Sequence, residues 1–431
     1  MLTVLRHTIA QNRWWDAIFV LYVTAFCVDL IFLQHGRIGS ESGVSVRQII
    51  FLLLMLTAVF NCFQLRRVPL TTTVGLVILG ALIPGIWGTL GVLGGNELRH
   101  VINDANGHVF YLLAFAILLG YRPDFTSKVL LEFAMLLVAV LCAVSLIGYL
   151  YALIGVDQAN QIEKFLREGD YGFFNVFVDG RPYRIFLSSY LFIPILVCFS
   201  VQRLIGHWRA GSGFEVRAMV YLSLGLGVLV VSQTRSLWLG LVIGLGVTML
   251  FVVHRTSPRL LVGAAVIALL GAGLLFFSAP QMLRFGDLDG NVSMRLGQVS
   301  ILLDLYMQRP WFGWGFGTIV DISSIIDRPP SFSHEMDLID LLRKIGLLGV
   351  LLYVVAFVLL LRAAWRQYRV DNFSDEVGML LATLAVVFTV GFFNPYATAS
   401  IGIGAIVLAL VTVEFRNLTL LSPDAPDYSR R

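Results

Sequence analysis

A lone histidine set among three acids and two bases heads an apolar run in SHEMDLIDLLRKIGLLG, residues 333–349, the most chemically loaded stretch of the chain. A neutral imidazole held by a carboxylate can take a proton from a hydroxyl near neutral pH, and His334 has Glu335 and Asp337 within three residues. Arginines supply a complementary chemistry. Arg181 and Arg184 stand in DGRPYRIFLSSY, Arg235 in the tight SQTRS, and Arg295 begins MRLGQVSILLDLYMQRP. A planar guanidinium offers a bidentate fork that fits phosphate or diphosphate better than an ammonium does. The candidate set is therefore His334 as base, Asp337 and Glu335 as its orienting acids, and Arg184, Arg235 and Arg295 as an anion clamp in which Arg181 could replace Arg184. Each residue also has a plainer reading. Arg235 could snorkel to headgroups, Arg184 could be solvated in its loop, Arg295 could pair with Asp287 or Asp289, and Glu335 and Asp337 could cap the positive end of a helix.

The elements that must position these residues are membrane helices. The chain has 431 residues, 58% of them hydrophobic and only 13% charged. Apolar runs of span length fall near 14–33, 48–63, 70–92, 108–120, 129–153, 185–202, 218–233, 236–253, 260–278, 345–361, 377–393 and 399–415. The expected fold is an all-α polytopic membrane protein of about twelve transmembrane helices, with a large loop, 279–344, between the ninth and tenth. The fourth run is short, and the glycine-rich, polar stretch Gly91 to Gly107 beside it could fold back at membrane depth.

Lys and Arg accumulate on the cytoplasmic side of short loops. Arg6, Arg13, Arg66, Arg67, Arg122, Lys128, Arg203, Arg209, Arg217, Arg255, Arg259, Arg362, Arg366 and Arg369 all share one face if both termini lie inside, with the first run an uncleaved anchor. The outer face then carries the two long loops, 154–184 and 279–344, and all the candidate residues. After Arg295, residues Leu296, Val299, Leu302, Leu303 and Tyr306 follow helical spacing, so a surface amphipathic helix ending before Pro310 is expected. The WFGWGFGT that follows suits either a sugar-stacking rim or lid, or an interfacial aromatic belt. Cys27, Cys62, Cys142 and Cys198 lie inside spans without metal-ligand spacing, and neither a P-loop nor a dinucleotide fingerprint stands out. The net charge of +4 follows from the positive-inside bias and implies no nucleic acid.

The outer-turn arginine, the Arg-led segment ending in RPWFGWGFGT, and the histidine followed by LIDLLRKIGLLG together resemble the O-antigen ligase and O-antigen polymerase superfamily, over about residues 180–400. The resemblance implies a domain plan of N-terminal helices and first long loop (1–180), a ligase/polymerase-like core (181–416) and a cytoplasmic tail (417–431). It implies an inner-membrane glycosyltransferase that takes oligosaccharide from undecaprenyl diphosphate on the periplasmic face, without metal, nucleotide or other cofactor. Arg184, Arg235 and Arg295 would hold the diphosphate, and His334 would be the base. The acceptor would be a second glycan for a polymerase of O-antigen, capsule or exopolysaccharide, with a chain-length regulator as a possible partner, or lipid A core for a ligase. Ligases usually follow the histidine with Asn, Ser or Gln and place the glycine pair one residue closer. Glu335 and the longer step to Gly346 and Gly349 tilt the reading toward a polymerase.

A transporter or flippase is the competing class, because twelve spans with both ends inside is a common carrier layout and Asp29 and Glu132 lie in or near spans. Carriers place their site near the midplane between repeats. Here the unusual charges gather at the outer rim.

Overall fold

The computed structural model describes residues 14–32, 46–61, 68–120, 127–168, 172–175, 184–213, 215–253, 288–323, 334, 336–370 and 375–420. The apolar runs fold as helices: α1 (Trp14–Phe32), α2 (Val46–Phe60), α3 (Leu70–Leu93), α4 (Leu98–Val109), α5 (Tyr111–Leu119) and α6 (Ser127–Ala152). Between α6 and the next long helix lie α7 (Val156–Glu168) and a two-stranded antiparallel ribbon, β1 (Gly172–Asn175) and β2 (Arg184–Leu187), with Asn175 opposite Arg184. Then come α8 (Ser188–Arg209), α9 (Val216–Ser232), α10 (Arg235–Val253), α11 (Leu288–Gln308), α12 (Asp337–Val370), α13 (Asp375–Gly391) and α14 (Ser400–Leu420).

Five helices among the described residues, α3, α6, α8, α12 and α14, are long and apolar enough to cross a bilayer, or six if the bent pair α4–α5 is one span. The shorter apolar helices of α2, α9 and α10 coincide with expected spans, and the ninth run, 260–278, lies outside the described residues. Exposed Trp311 and Phe312 at one end and Trp208 and Trp365 at the other sit where amphipathic rings favour headgroup level.

Local sequence explains the irregularities. Pro84 has no N–H and would press on the carbonyl four residues back, and the preceding turn, Ile78–Leu82, opens into a π-helix. The polar stretch expected to fold back becomes α4, which turns by 43° into α5 at Phe110. The tenth span starts earlier than its apolar run suggests, because α12 begins at Asp337 and breaks at Gly346 (φ 61°, ψ −173°).

That break is filled by another part of the chain. A continuous helix would bond Leu347 N–H to the Arg343 carbonyl and Leu348 N–H to that of Lys344. Instead Leu347 and Leu348 donate to the carbonyls of Pro310 (2.8 Å) and Trp311 (3.1 Å), while the freed carbonyls of Arg343 and Lys344 accept from Trp314 (3.1 Å) and Gly315 (2.9 Å). Every group released by the break thus finds a partner, as buried backbone requires. The inserted arm runs on against α3 and α4. Phe316 N–H donates to the Trp87 carbonyl (3.0 Å), and the indole of Trp87 donates to the Phe312 carbonyl (2.6 Å). Gly315 adopts φ 80°, and a Cβ there would strike the backbone of Gly91. The WFGWGFGT segment therefore presents Trp311 and Phe312 outward while its glycines thread between helices.

The core centres on α14, 94% of whose apolar window is buried, ringed by α5, α6, α12 and α13. Gly240 and Gly244 of α10, one turn apart, admit Val390 and Val386 of α13 at close range, the small-residue packing typical of lipid-embedded helices. A second cluster joins Leu302 of α11 to Val320, Ile322 and Met336, fixing α11 against the head of α12. At the other end of the bundle, Glu132 is paired with Arg203 and Arg217, Gln202 donates to Asp375, and Ser127 to Glu376. Glu132 is thus one corner of an ion triad at a helix end, not a midplane carboxylate.

The threaded arm makes Gly315 a point of failure. Gly315→Ala should lower stability by about 2 kcal/mol or more, from the left-handed backbone and the collision combined, read as an earlier melting midpoint in detergent. Gly85→Ala, where a Cβ meets nothing within 4 Å, is the control and should melt like the native chain. Equal midpoints for the two variants would contradict the threading.

Candidate functional site

The turn between α9 and α10 consists of Gln233 and Thr234, with Arg235 as the first residue of α10. Gln233 takes the left-handed conformation (φ 48°, ψ 29°), the one non-glycine residue with positive φ among those described. Such a conformation persists where surroundings impose it. Arg184, at the start of β2, does so from across the turn: its Nε donates to the Ser232 carbonyl (3.0 Å) and its Nη2 to Thr234 Oγ1 (3.2 Å). Two of the five donors of Arg184 are therefore spent on shaping the turn that presents Arg235.

The same turn is fastened to the segment between α13 and α14. Asn394 donates to Ser236 Oγ (2.7 Å). Arg295, on α11, places its guanidinium carbon 5.7 Å from the ring centre of the adjacent Phe393. Farther along, Asp337 receives both the backbone N–H of Thr398 (2.8 Å) and its hydroxyl (2.5 Å). Tyr396 is buried within electrostatic reach of Arg184. The ten residues GFFNPYATAS, 391–400, thus gather Arg184 and Arg235 on one side, Arg295 above Phe393, and the head of α12, three residues after His334, at the other.

His334 is buried, 4% exposed, and lies within electrostatic reach of Asp340. Both oxygens of Asp337 accept from Thr398, so the geometry shows this carboxylate holding the head of α12 against the 391–400 segment. The charges of the following turn do not line an open mouth. Asp340 pairs with Arg343 (2.7 Å) and Lys344 (2.8 Å), and Lys344 pairs with Asp104 of α4 (2.7 Å). Arg343 is fully buried and also reaches the Thr318 carbonyl (3.3 Å). Glu335 and Arg181 lie outside the described residues, as does Asp287, the proposed plain partner of Arg295.

Asn394, Tyr396 and Thr398 were not singled out from sequence, nor was Asp104. A signal existed: Asn-Pro-Tyr between two apolar runs is a polar turn at the same outer end as the arginines. Among the described residues no group of His, Cys, Asp and Glu is arranged to hold a metal ion.

The arrangement brings the arginine-bearing turn to one end of residues 391–400 and the chain just after His334 to the other; guanidinium forks suit an anionic leaving group and an imidazole can accept a proton. Curated proteins give no match to the chain. The family model for O-antigen ligase matches residues 220–337, from within α9 to the first residue of α12, taking in Arg235, Arg295 and His334 and leaving out Arg184. By that match residues 220–337 are similar to the O-antigen ligase family, and the long apolar helices among the described residues are those of a multi-pass membrane protein.

Proposed function

We propose that the protein transfers oligosaccharide from undecaprenyl diphosphate to a glycan acceptor on the periplasmic face, as a polymerase of O-antigen, capsule or exopolysaccharide repeats. The observation that carries this reading is the meeting of Arg184, Arg235, Arg295 and the head of α12, three residues after His334, around residues 391–400. In the reaction, an acceptor hydroxyl forms a new glycosidic bond at the sugar carbon joined to diphosphate. The bond from that carbon to the diphosphate oxygen breaks, and the hydroxyl proton passes to neutral His334. Charge develops on the departing diphosphate, where preorganised guanidinium donors are most effective. Arg235 and Arg295 clamp the diphosphate. Arg184 holds the turn of Arg235 and adds charge to the same space. Asp337 anchors the head of α12, three residues after His334. The ligase reading, with lipid A core as acceptor, shares every one of these steps and differs only in what presents the hydroxyl; Glu335 after His334 is what favours the polymerase.

Orientation is testable first. In a variant whose other cysteines are removed, a single cysteine at the exposed position Asp321 should react with an impermeant thiol reagent on spheroplasts, and one at the exposed position Ser212 should not. The reverse pattern would put the arginines in the cytoplasm.

Arg235→Lys keeps the charge and loses the fork, so transfer should fall by about tenfold or more while expression holds. Full activity with lysine would reduce Arg235 to an interfacial anchor. Arg295→Ala should weaken binding of undecaprenyl diphosphate.

His334→Ala should lower transfer by about a hundredfold to ten-thousandfold while undecaprenyl diphosphate still binds. Transfer near the native rate would remove His334 from the mechanism, and lost binding would move it into the diphosphate site.

A further inference from the structure

Asp104 lies on α4, more than a hundred residues before the stretch matched by the family model, and its side chain is 8% exposed. Its two oxygens face two elements of the site's support. Oδ2 accepts from Gly317 N–H of the threaded arm (2.9 Å), and Oδ1 from Lys344 Nζ of α12 (2.7 Å). Lys344 passes the link to Asp340 Oδ2 (2.8 Å), whose other oxygen accepts from Arg343 Nε (2.8 Å). Two acids and two bases balance in a nearly dry cluster, and three chain segments meet at one carboxylate. Asp340 is the charged residue of this cluster within electrostatic reach of His334, six residues before it. Met336, between His334 and Asp337, is packed into the cluster of Leu302, Val320 and Ile322, so the chain leading to the histidine is fixed from the α11 side as well.

We propose that Asp104 is a positioning residue for His334, acting through Lys344 and Asp340 to set where the imidazole stands relative to the arginines. The inference rests on His334 being the base of the transfer. A carboxylate in a rigid supporting layer matters because a displacement of about 1 Å at the reacting groups costs about a hundredfold in rate. The arm adds a second constraint: Asp104 ties Gly317 to the Lys344 side chain, beside the backbone bond from Gly315 to the Lys344 carbonyl.

The test uses the full chain in detergent or nanodiscs, with undecaprenyl-diphosphate oligosaccharide extracted from producing cells as donor for transfer and undecaprenyl diphosphate alone for binding. Asp104→Asn, which keeps the shape and removes the charge, should lower kcat about tenfold to a hundredfold and leave undecaprenyl diphosphate binding within about twofold. Asp104→Glu should recover part of kcat. Because Asp104→Asn leaves a buried lysine without its charge partner and can impair folding, the double variant Asp104→Asn with Lys344→Gln is measured alongside it. It should regain the melting midpoint without regaining kcat. A merely structural role predicts instead that kcat returns with stability, and that result overturns the proposal, as does native kcat in Asp104→Asn. His334→Ala is run in the same assays. Native transfer there sinks the base reading itself, whereas inactive His334→Ala beside fully active Asp104→Asn sinks only the positioning role.

Discussion

The exchange of four backbone hydrogen bonds at Gly346 holds together the end of the bundle at which α12 begins. A helix cannot break inside or beside a bilayer unless the donors and acceptors it releases are taken up, since each one left bare costs several kcal/mol in hydrocarbon. Here residues 310–315 enter the gap and take up all four. The consequences spread in both directions from the break. On one side the arm is held against α3 and α4 through Trp87, Asn96 and Asp104. On the other, the first turns of α12 are released from the axis of the rest of the helix and present Asp337 to Thr398. Without the break the head of α12 would continue straight, and the partners now meeting it would lie elsewhere.

The bundle has two chemically different ends. At one end, Glu132 with Arg203 and Arg217, Gln202 with Asp375, and Glu414 with Thr72 and Asn417 match charge and hydrogen-bonding groups in local sets that tie helix ends together. At the other, Arg184 binds the turn before Arg235 and Arg295 lies over Phe393, and among the described residues Asp337 is engaged by Thr398 and Asp340 by Arg343 and Lys344. These described acids hold the frame of the bundle at this end.

The family-matched stretch, 220–337, contains Arg235, Arg295 and His334 but not the parts that seat them. Arg184 of β2 shapes the turn before Arg235, α4 supplies Asp104, and residues 391–400 supply the surface on which the groups converge. A site assembled this way depends on helix packing far from the chemistry. The close approach of Gly240 and Gly244 to α13 sets how far the Arg235 turn stands from Asn394.

Sequence by itself determined the class of the molecule, because span length and hydropathy follow from bilayer thickness and are written locally in each run. Among the described residues helices coincide with the apolar runs, the helix expected from Arg295 starts earlier, at Leu288, and ends before Pro310, and the order and residue types of Arg235, Arg295 and His334 pointed to the family that residues 220–337 match. The apolar run 345–361 does not mark where the helix begins, and a start near Asp337 enters only through the capping reading of Glu335 and Asp337, since charges that appear exposed in one dimension are neutralised by partners from other segments. Only the tertiary structure decided that Asp337 binds Thr398, that Lys344 reaches Asp104 across 240 positions, and that the glycines of WFGWGFGT are threaded between helices. Local composition records what a segment can bury, whereas the pairing of charges and the filling of a helix break depend on which distant segment arrives beside it, and that is fixed by packing alone.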